Sequence, residues 1–73
     1  MNRAEYGDYE VEMEVAGHRS RVRLRPKQSG AISVVEIVLE DGRRLPKHAV
    51  LYLSADAAAD AARGSVTDWA ATQ

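Results

Sequence analysis

The chain contains no cysteine, no phenylalanine and only two prolines among its 73 residues. Without cysteine it has no disulfide bond, no thiolate metal ligand and no thiol nucleophile. No stretch approaches the roughly 20 apolar residues of a membrane span, and residues 1–5 lack the apolar segment of a secretion signal. We therefore expect a soluble, cytoplasmic protein with no membrane partner. Aromatic residues make up only 5% of the chain. They are Tyr6, Tyr9, Tyr52 and Trp69.

The length predicts one small domain over residues 1–73, near the lower limit for folding without disulfides or metal. Such a domain buries only about 60% of the surface of its unfolded chain, so its core must be economical or completed by a partner. A composition of 45% hydrophobic and 29% charged residues is typical of globular proteins. The net charge of -1 gives no overall attraction to nucleic acid or to anionic lipid. Residues 1–7 show no periodicity and are expected to form a loose lead-in.

Residues 8–26 have the strongest pattern, in which apolar and charged residues alternate along two arms. The first arm places Tyr9, Val11, Met13 and Val15 on one face and Asp8, Glu10, Glu12 and Glu14 on the other. The second arm places Ser20, Val22, Leu24 and Pro26 on one face and Arg19, Arg21, Arg23 and Arg25 on the other. A period of two predicts half-buried strands, and Gly17 suits the turn between them. The turn sets Glu14 opposite either Arg21 or Arg19, and both registers place acidic against basic residues.

Residues 31–40 are apolar on both sides, which predicts a central strand of the sheet. Strict alternation places Ser33, Val35, Ile37 and Leu39 on one face and Ile32, Val34, Glu36 and Val38 on the other. On this reading Val34 and Val38 need a cover on the second face, from the C-terminal segment or from another subunit. Asp41-Gly42 then signals a hairpin in which Leu45 pairs with Ile37. Pro46 breaks the fourth strand, which resumes over residues 50–53.

The C-terminal part predicts a helix over residues 55–62, with Ser54 as its N-cap and Gly64 as its stop signal. A second helical turn over residues 66–71 brings Trp69 onto the core or onto the second face of the sheet. The predicted fold is therefore α+β: a four-stranded antiparallel meander, order 1-2-3-4, with a short C-terminal helix packed on one face.

The row Arg19, Arg21, Arg23 and Arg25 is the sharpest chemical feature. A basic strand face of this kind fits a nucleic-acid backbone, which makes a nucleic-acid-binding module our alternative hypothesis. Against it, the row of glutamates on the first arm lies beside the arginines. The stacking aromatics of a single-strand binder are also missing.

The residues that could support catalysis do not form a recognisable motif. We expect His18 to lie in a turn and His48 to face solvent. Their spacing suits neither a zinc site nor a catalytic triad. A site for a hard cation needs a loop that wraps around the ion, and Glu10, Glu12 and Glu14 lie along a strand instead. We expect no catalytic, cofactor-binding or metal-binding residues, and hence a protein that is not an enzyme. The apolar surplus of Val34, Val38 and Trp69 instead predicts a protein-interaction surface, at the sheet edge or on the face that carries Val34 and Val38, for another protein or for a homodimer.

Residues 51–68, LYLSADAAADAARGSVTD, follow a strand with an alanine-rich helix, and LEDGR at residues 39–43 precedes them. This half of the chain resembles small uncharacterised bacterial proteins that consist of a domain of unknown function. The resemblance implies a run of strands followed by one late helix. It brings no catalytic residue.

Overall fold

The computed structural model describes residues 7–73, which form one antiparallel sheet with a helix packed on one of its faces. The elements are β1 (Tyr9–Val15), β2 (His18–Pro26), β3 (Ile32–Leu39), β4 (Arg44–Leu45), β5 (Leu51–Tyr52) and α1 (Ala55–Ala70). The strand order is β1-β2-β3-β4, and β5 also pairs with β3. The predicted α+β fold, the meander order and the packing of a C-terminal helix on one face are confirmed. The lead-in predicted for residues 1–7 lies almost entirely outside the described residues.

Ala16 and Gly17 form the turn between β1 and β2, and both have positive φ angles, of 52° and 83°. Two central residues with positive φ are the signature of a type I′ hairpin turn, whose twist matches that of the strands. The turn places Glu14 opposite Arg19, Glu12 opposite Arg21 and Glu10 opposite Arg23. The structure thus selects the second of the two predicted registers.

Replacing Ala16 by Asn is expected to raise the free energy of unfolding. The left-handed conformation costs an ordinary L-residue about 1–2 kcal/mol, and Asn tolerates it better than Ala. We expect a gain of about 1 kcal/mol, measured by urea denaturation followed by circular dichroism. Ala16→Val is the control, and it should destabilise because a β-branched residue is least tolerant of positive φ. An Asn variant less stable than the wild type would contradict this turn geometry.

A β-bulge interrupts the pairing of β2 with β3. Arg23 lies opposite Glu36, whereas the next residue, Leu24, lies opposite Val34. Val35 is the extra residue of β3, and an extra residue reverses the faces of a strand from that point on. The prediction that Val34 shares a face with Val38 is therefore wrong. The helix-covered face of β3 carries Ile32, Val34, Ile37 and Leu39, which are all buried.

The fourth strand is broken as predicted. Leu45 pairs with Ile37, and β4 ends there because Pro46 has no N–H to continue the ladder. The chain rejoins the same side of β3 at β5, where Tyr52 lies opposite Ile32 and Leu51 opposite Ser33. With β2 on its other side, β3 is the central strand.

Helix α1 is a single helix that runs through Gly64, so the predicted stop and second helical turn are wrong. Its N-cap is Ser54, as predicted, and the side chain of Ser54 accepts a hydrogen bond from the backbone N–H of Ala57. Glycine inside a helix costs about 1 kcal/mol relative to alanine. Continuing the helix offsets that cost because it buries Val66 fully and packs Trp69 against the core.

The core lies between α1 and one face of the sheet. Its buried apolar residues are Met13, Val22, Leu24, Ile32, Val34, Ile37, Leu39, Ala58, Ala62 and Val66. The opposite side of the sheet carries the charged residues of β1 and β2, and we call it the open face. Within residues 7–73, α1 is the only helix, and it is too short and too polar to cross a membrane.

Candidate functional site

The arginines of β2 form a ladder of ion pairs with carboxylates of the neighbouring strands on the open face. Arg25 is held by Asp8 through two hydrogen bonds, from Nε at 2.8 Å and from Nη2 at 3.0 Å. The Arg25 hydrogen bond holds the pKa of the Asp8 carboxyl below its usual value. Arg23 lies between Glu10, at 3.5 Å, and Glu36, at 3.4 Å. These pairs are exposed, so each adds little to the stability and serves mainly to set the register.

The ladder extends to the edge of the sheet through β4. Arg44 Nε lies 2.8 Å from the carboxylate of Glu36, which therefore bridges two strands. Along β1 to β4 and at Asp8, the open face carries five arginines (19, 21, 23, 25 and 44) and five carboxylates (8, 10, 12, 14 and 36). These ten charges sum to zero, and Lys27, whose charge also acts on Asp8, adds one positive charge at the end of the row.

Val38 lies on the open face, half-buried, opposite Arg21 on one side and Arg44 on the other. A shallow groove beside it is lined by side chains of both signs of charge, including Glu12, Glu14 and Arg21. The lining holds three carboxylates (12, 14 and 40) against two arginines (19 and 21), so it does not favour a phosphate group.

The three residues predicted to form an interaction surface do not lie together. Val34 is fully buried in the core, Val38 lies on the open face, and Trp69 packs against the core from α1. The bulge separates Val34 from Val38, and the continuous helix delivers Trp69 to the core. No shared surface contains all three residues.

His18 joins the β1–β2 turn to two other parts of the chain. Its Nδ1 lies 2.8 Å from the carboxylate of Glu40, and its ring meets the Trp69 ring edge-on with centroids 5.0 Å apart. The hydrogen bond with His18, and then that from the Arg19 backbone N–H, lower the pKa of Glu40. The Arg43 guanidinium lies 6.0 Å from the centre of the Trp69 ring. This cluster closes one end of the core.

His48 is half-buried, so the prediction of a solvent-facing histidine is wrong. Its Nδ1 lies 2.7 Å from the Tyr52 hydroxyl, and its Nε2 lies 2.8 Å from the Ser65 hydroxyl. The second distance suits a nucleophile and its base. However, a neutral hydroxyl rather than a carboxylate faces Nδ1, and Ser65 lies inside α1, where the helix uses the backbone N–H groups that an oxyanion would need. The cluster instead ties the loop after β4 to α1.

Metal-ligating side chains are dispersed in this structure. No group of three or more His, Asp or Glu residues gathers in a geometry that could hold an ion anywhere in residues 7–73.

The largest exposed apolar side chains cluster around β5. Val50 is 57% exposed, Leu51 55% and Leu53 93%, and we call these three residues the apolar edge. Leu51 lies opposite Ser33. Leu53 directly follows the last residue of β5, and continuing the alternation of the strand by one residue puts it on the side of Leu51. Among the described strands β5 pairs only with β3, so its outer backbone groups have no strand partner.

Sequence reasoning assigned residues 50–53 to a strand and did not identify their exposure. The available signal was a run of four apolar residues with apolar side chains on both faces, which begins four residues after the break at Pro46. A broken strand is found at the edge of a sheet, where one side of it faces solvent. His48 and Ser65, by contrast, are 17 residues apart, and no local pattern predicts their contact.

Comparison of the chain with protein-family models, with curated proteins and with solved structures found no match.

Proposed function

We propose that this protein is a small, non-enzymatic, cytoplasmic interaction module that binds a protein partner at the apolar edge. The observation that carries the proposal is the 93% exposure of Leu53 beside Val50 and Leu51 on a sheet edge. Contiguous exposed apolar side chains mark interaction sites, and an unpaired edge strand is a template for a further strand. Both features occur within residues 50–53.

The mode of binding that fits this edge is strand addition. An extended segment of the partner would pair with the outer backbone groups of β5 and lay its own apolar side chains against Leu51 and Leu53. Backbone hydrogen bonds supply affinity in this mode, and the alternating side chains supply specificity.

Nucleic-acid binding, the alternative function, receives less support. Three of the four arginines in its basic row, Arg21, Arg23 and Arg25, lie within 4.0 Å of carboxylates of the described residues. A phosphate backbone would have to displace those carboxylates before it gained the same contacts.

The test measures binding of a labelled strand peptide, Thr-Val-Thr-Val-Thr-Val with blocked ends, by fluorescence anisotropy. We expect the wild type to bind it and Leu53→Glu to bind at least about 10-fold more weakly, because a charge would be desolvated at the contact. Thr67→Glu is the matched control, since it adds the same charge on the exposed side of α1. Equal binding by all three proteins would contradict the proposal.

A second arm replaces the peptide with a labelled oligonucleotide at low and at moderate salt. Binding that falls steeply with salt and is unaffected by Leu53→Glu would favour the nucleic-acid alternative.

A further inference from the structure

We infer that the partner at the apolar edge is a second copy of this chain, paired through β5 across a two-fold axis. The inference rests on the proposed function, because it names the occupant of the same edge. Most oligomers of soluble proteins are symmetric dimers, in which one patch meets itself. Such a patch must be self-complementary in charge, in backbone pairing and in shape.

The charges of the two sheet edges favour β5 for this contact. Residues 49–55 carry no charged side chain, so two copies meet there without repulsion. The other edge strand, β1, carries Glu10, Glu12 and Glu14 in a row. Two β1 strands placed side by side would bring these carboxylates together, which is destabilising and protects that edge from pairing.

Symmetry limits the register of the paired β5 strands. A two-fold axis perpendicular to the sheet keeps each residue on its own face, and directly opposed residues of antiparallel strands share a face. A residue can therefore lie opposite itself but never opposite its immediate neighbour. Centring the pair on Tyr52 sets Leu51 of each copy across from Leu53 of the other.

This register accounts for the exposed leucines. Leu51 and Leu53 are 55% and 93% exposed in one chain, and the pairing makes two leucine–leucine contacts across the dimer. The neighbouring register, centred on Leu51, would place Leu53 opposite Ala49 and leave much of its side chain in water. The Tyr52-centred register therefore buries more apolar surface than the Leu51-centred one.

The test is a charge-complementary pair of variants, Leu51→Lys and Leu53→Glu. Alone, each variant places a charge opposite leucine at both contacts of a homodimer. Mixed, they form one contact between Lys and Glu and keep the other between Leu53 and Leu51. Light scattering should give twice the 8.0 kDa chain mass for the wild type, one chain mass for each variant, and the dimer again for the equimolar mixture. We expect the homodimer of each single variant to have a dissociation constant at least about 10-fold higher than that of the wild type.

Thr67→Glu should dimerise like the wild type, and circular dichroism should show that every variant is folded. A monomeric wild type that still binds the strand peptide would overturn the homodimer and leave the proposed function standing. A monomeric wild type that also fails to bind the peptide would overturn both. A wild-type dimer that both variants leave intact, or that the mixture fails to restore, would overturn this pairing.

Discussion

Replacing Val34 by Asp is expected to unfold the protein, whereas replacing Val38 by Asp is expected to leave it folded. Val34 is fully buried among apolar residues of the core. Burying a carboxylate without a partner costs several kcal/mol, whether it remains charged or takes up a proton. The total stability expected of a domain of this size is only about 4–11 kcal/mol. The substitution is therefore expected to remove most or all of the free energy of unfolding.

The same substitution at Val38 places the carboxylate between Arg21 and Arg44 on the open face. We expect the free energy of unfolding to change by no more than about 1 kcal/mol there. Far-UV circular dichroism and urea denaturation of both variants measure the difference. Since strict alternation would put these two residues on one face, equal effects of the two substitutions would contradict the bulge.

Replacing Ala62 by Leu is expected to lower the free energy of unfolding by about 1–3 kcal/mol. Ala62 is fully buried where α1 lies against the sheet, in line with Ala58 and Val66. Small side chains let the helix approach the strands closely, and three added carbon atoms would push the two layers apart.

Ala57→Leu is the matched control, because Ala57 lies on the exposed side of the same helix. Leucine is nearly as good a helix former as alanine, so this variant should stay within about 0.5 kcal/mol of the wild type. Thermal unfolding by calorimetry compares the two. An Ala62→Leu variant as stable as Ala57→Leu would show that the helix does not pack through this stripe.

The sequence predicted those parts of the fold that depend on local, repeated signals. Alternation over residues 8–26 identified both arms of the first hairpin, and Pro46 located the break in the fourth strand. The C-terminal end of the helix was predicted wrongly because the intrinsic conformational preference of glycine indicates a helix end at Gly64. The contacts that override this preference are made by Val66 on strands far away in the sequence.

The candidate site was harder to predict than the fold, since exposure depends on which strands end up at an edge. A single inserted residue, Val35, moved Val34 into the core, and no feature of residues 31–40 marks the position of that insertion. The run at residues 50–53 was visible as strand, but its exposure required knowing that no further strand follows β5 among residues 7–73. The alternation in the sequence identified the row of arginines and also the row of glutamates that lies beside it.

The bulge in β3 also determines which length changes this strand can tolerate during evolution. Without residue 35, the segment from Ile32 to Leu39 would read as an unbroken alternation of core-facing and outward-facing residues. Losing that one codon would therefore keep each core residue of the strand on its present side. Losing a codon elsewhere, among residues 32–34 or 37–39, would exchange the core face and the open face over part of the strand. Gene variants of this protein should accordingly show a gap at residue 35 or 36 before any other position of β3.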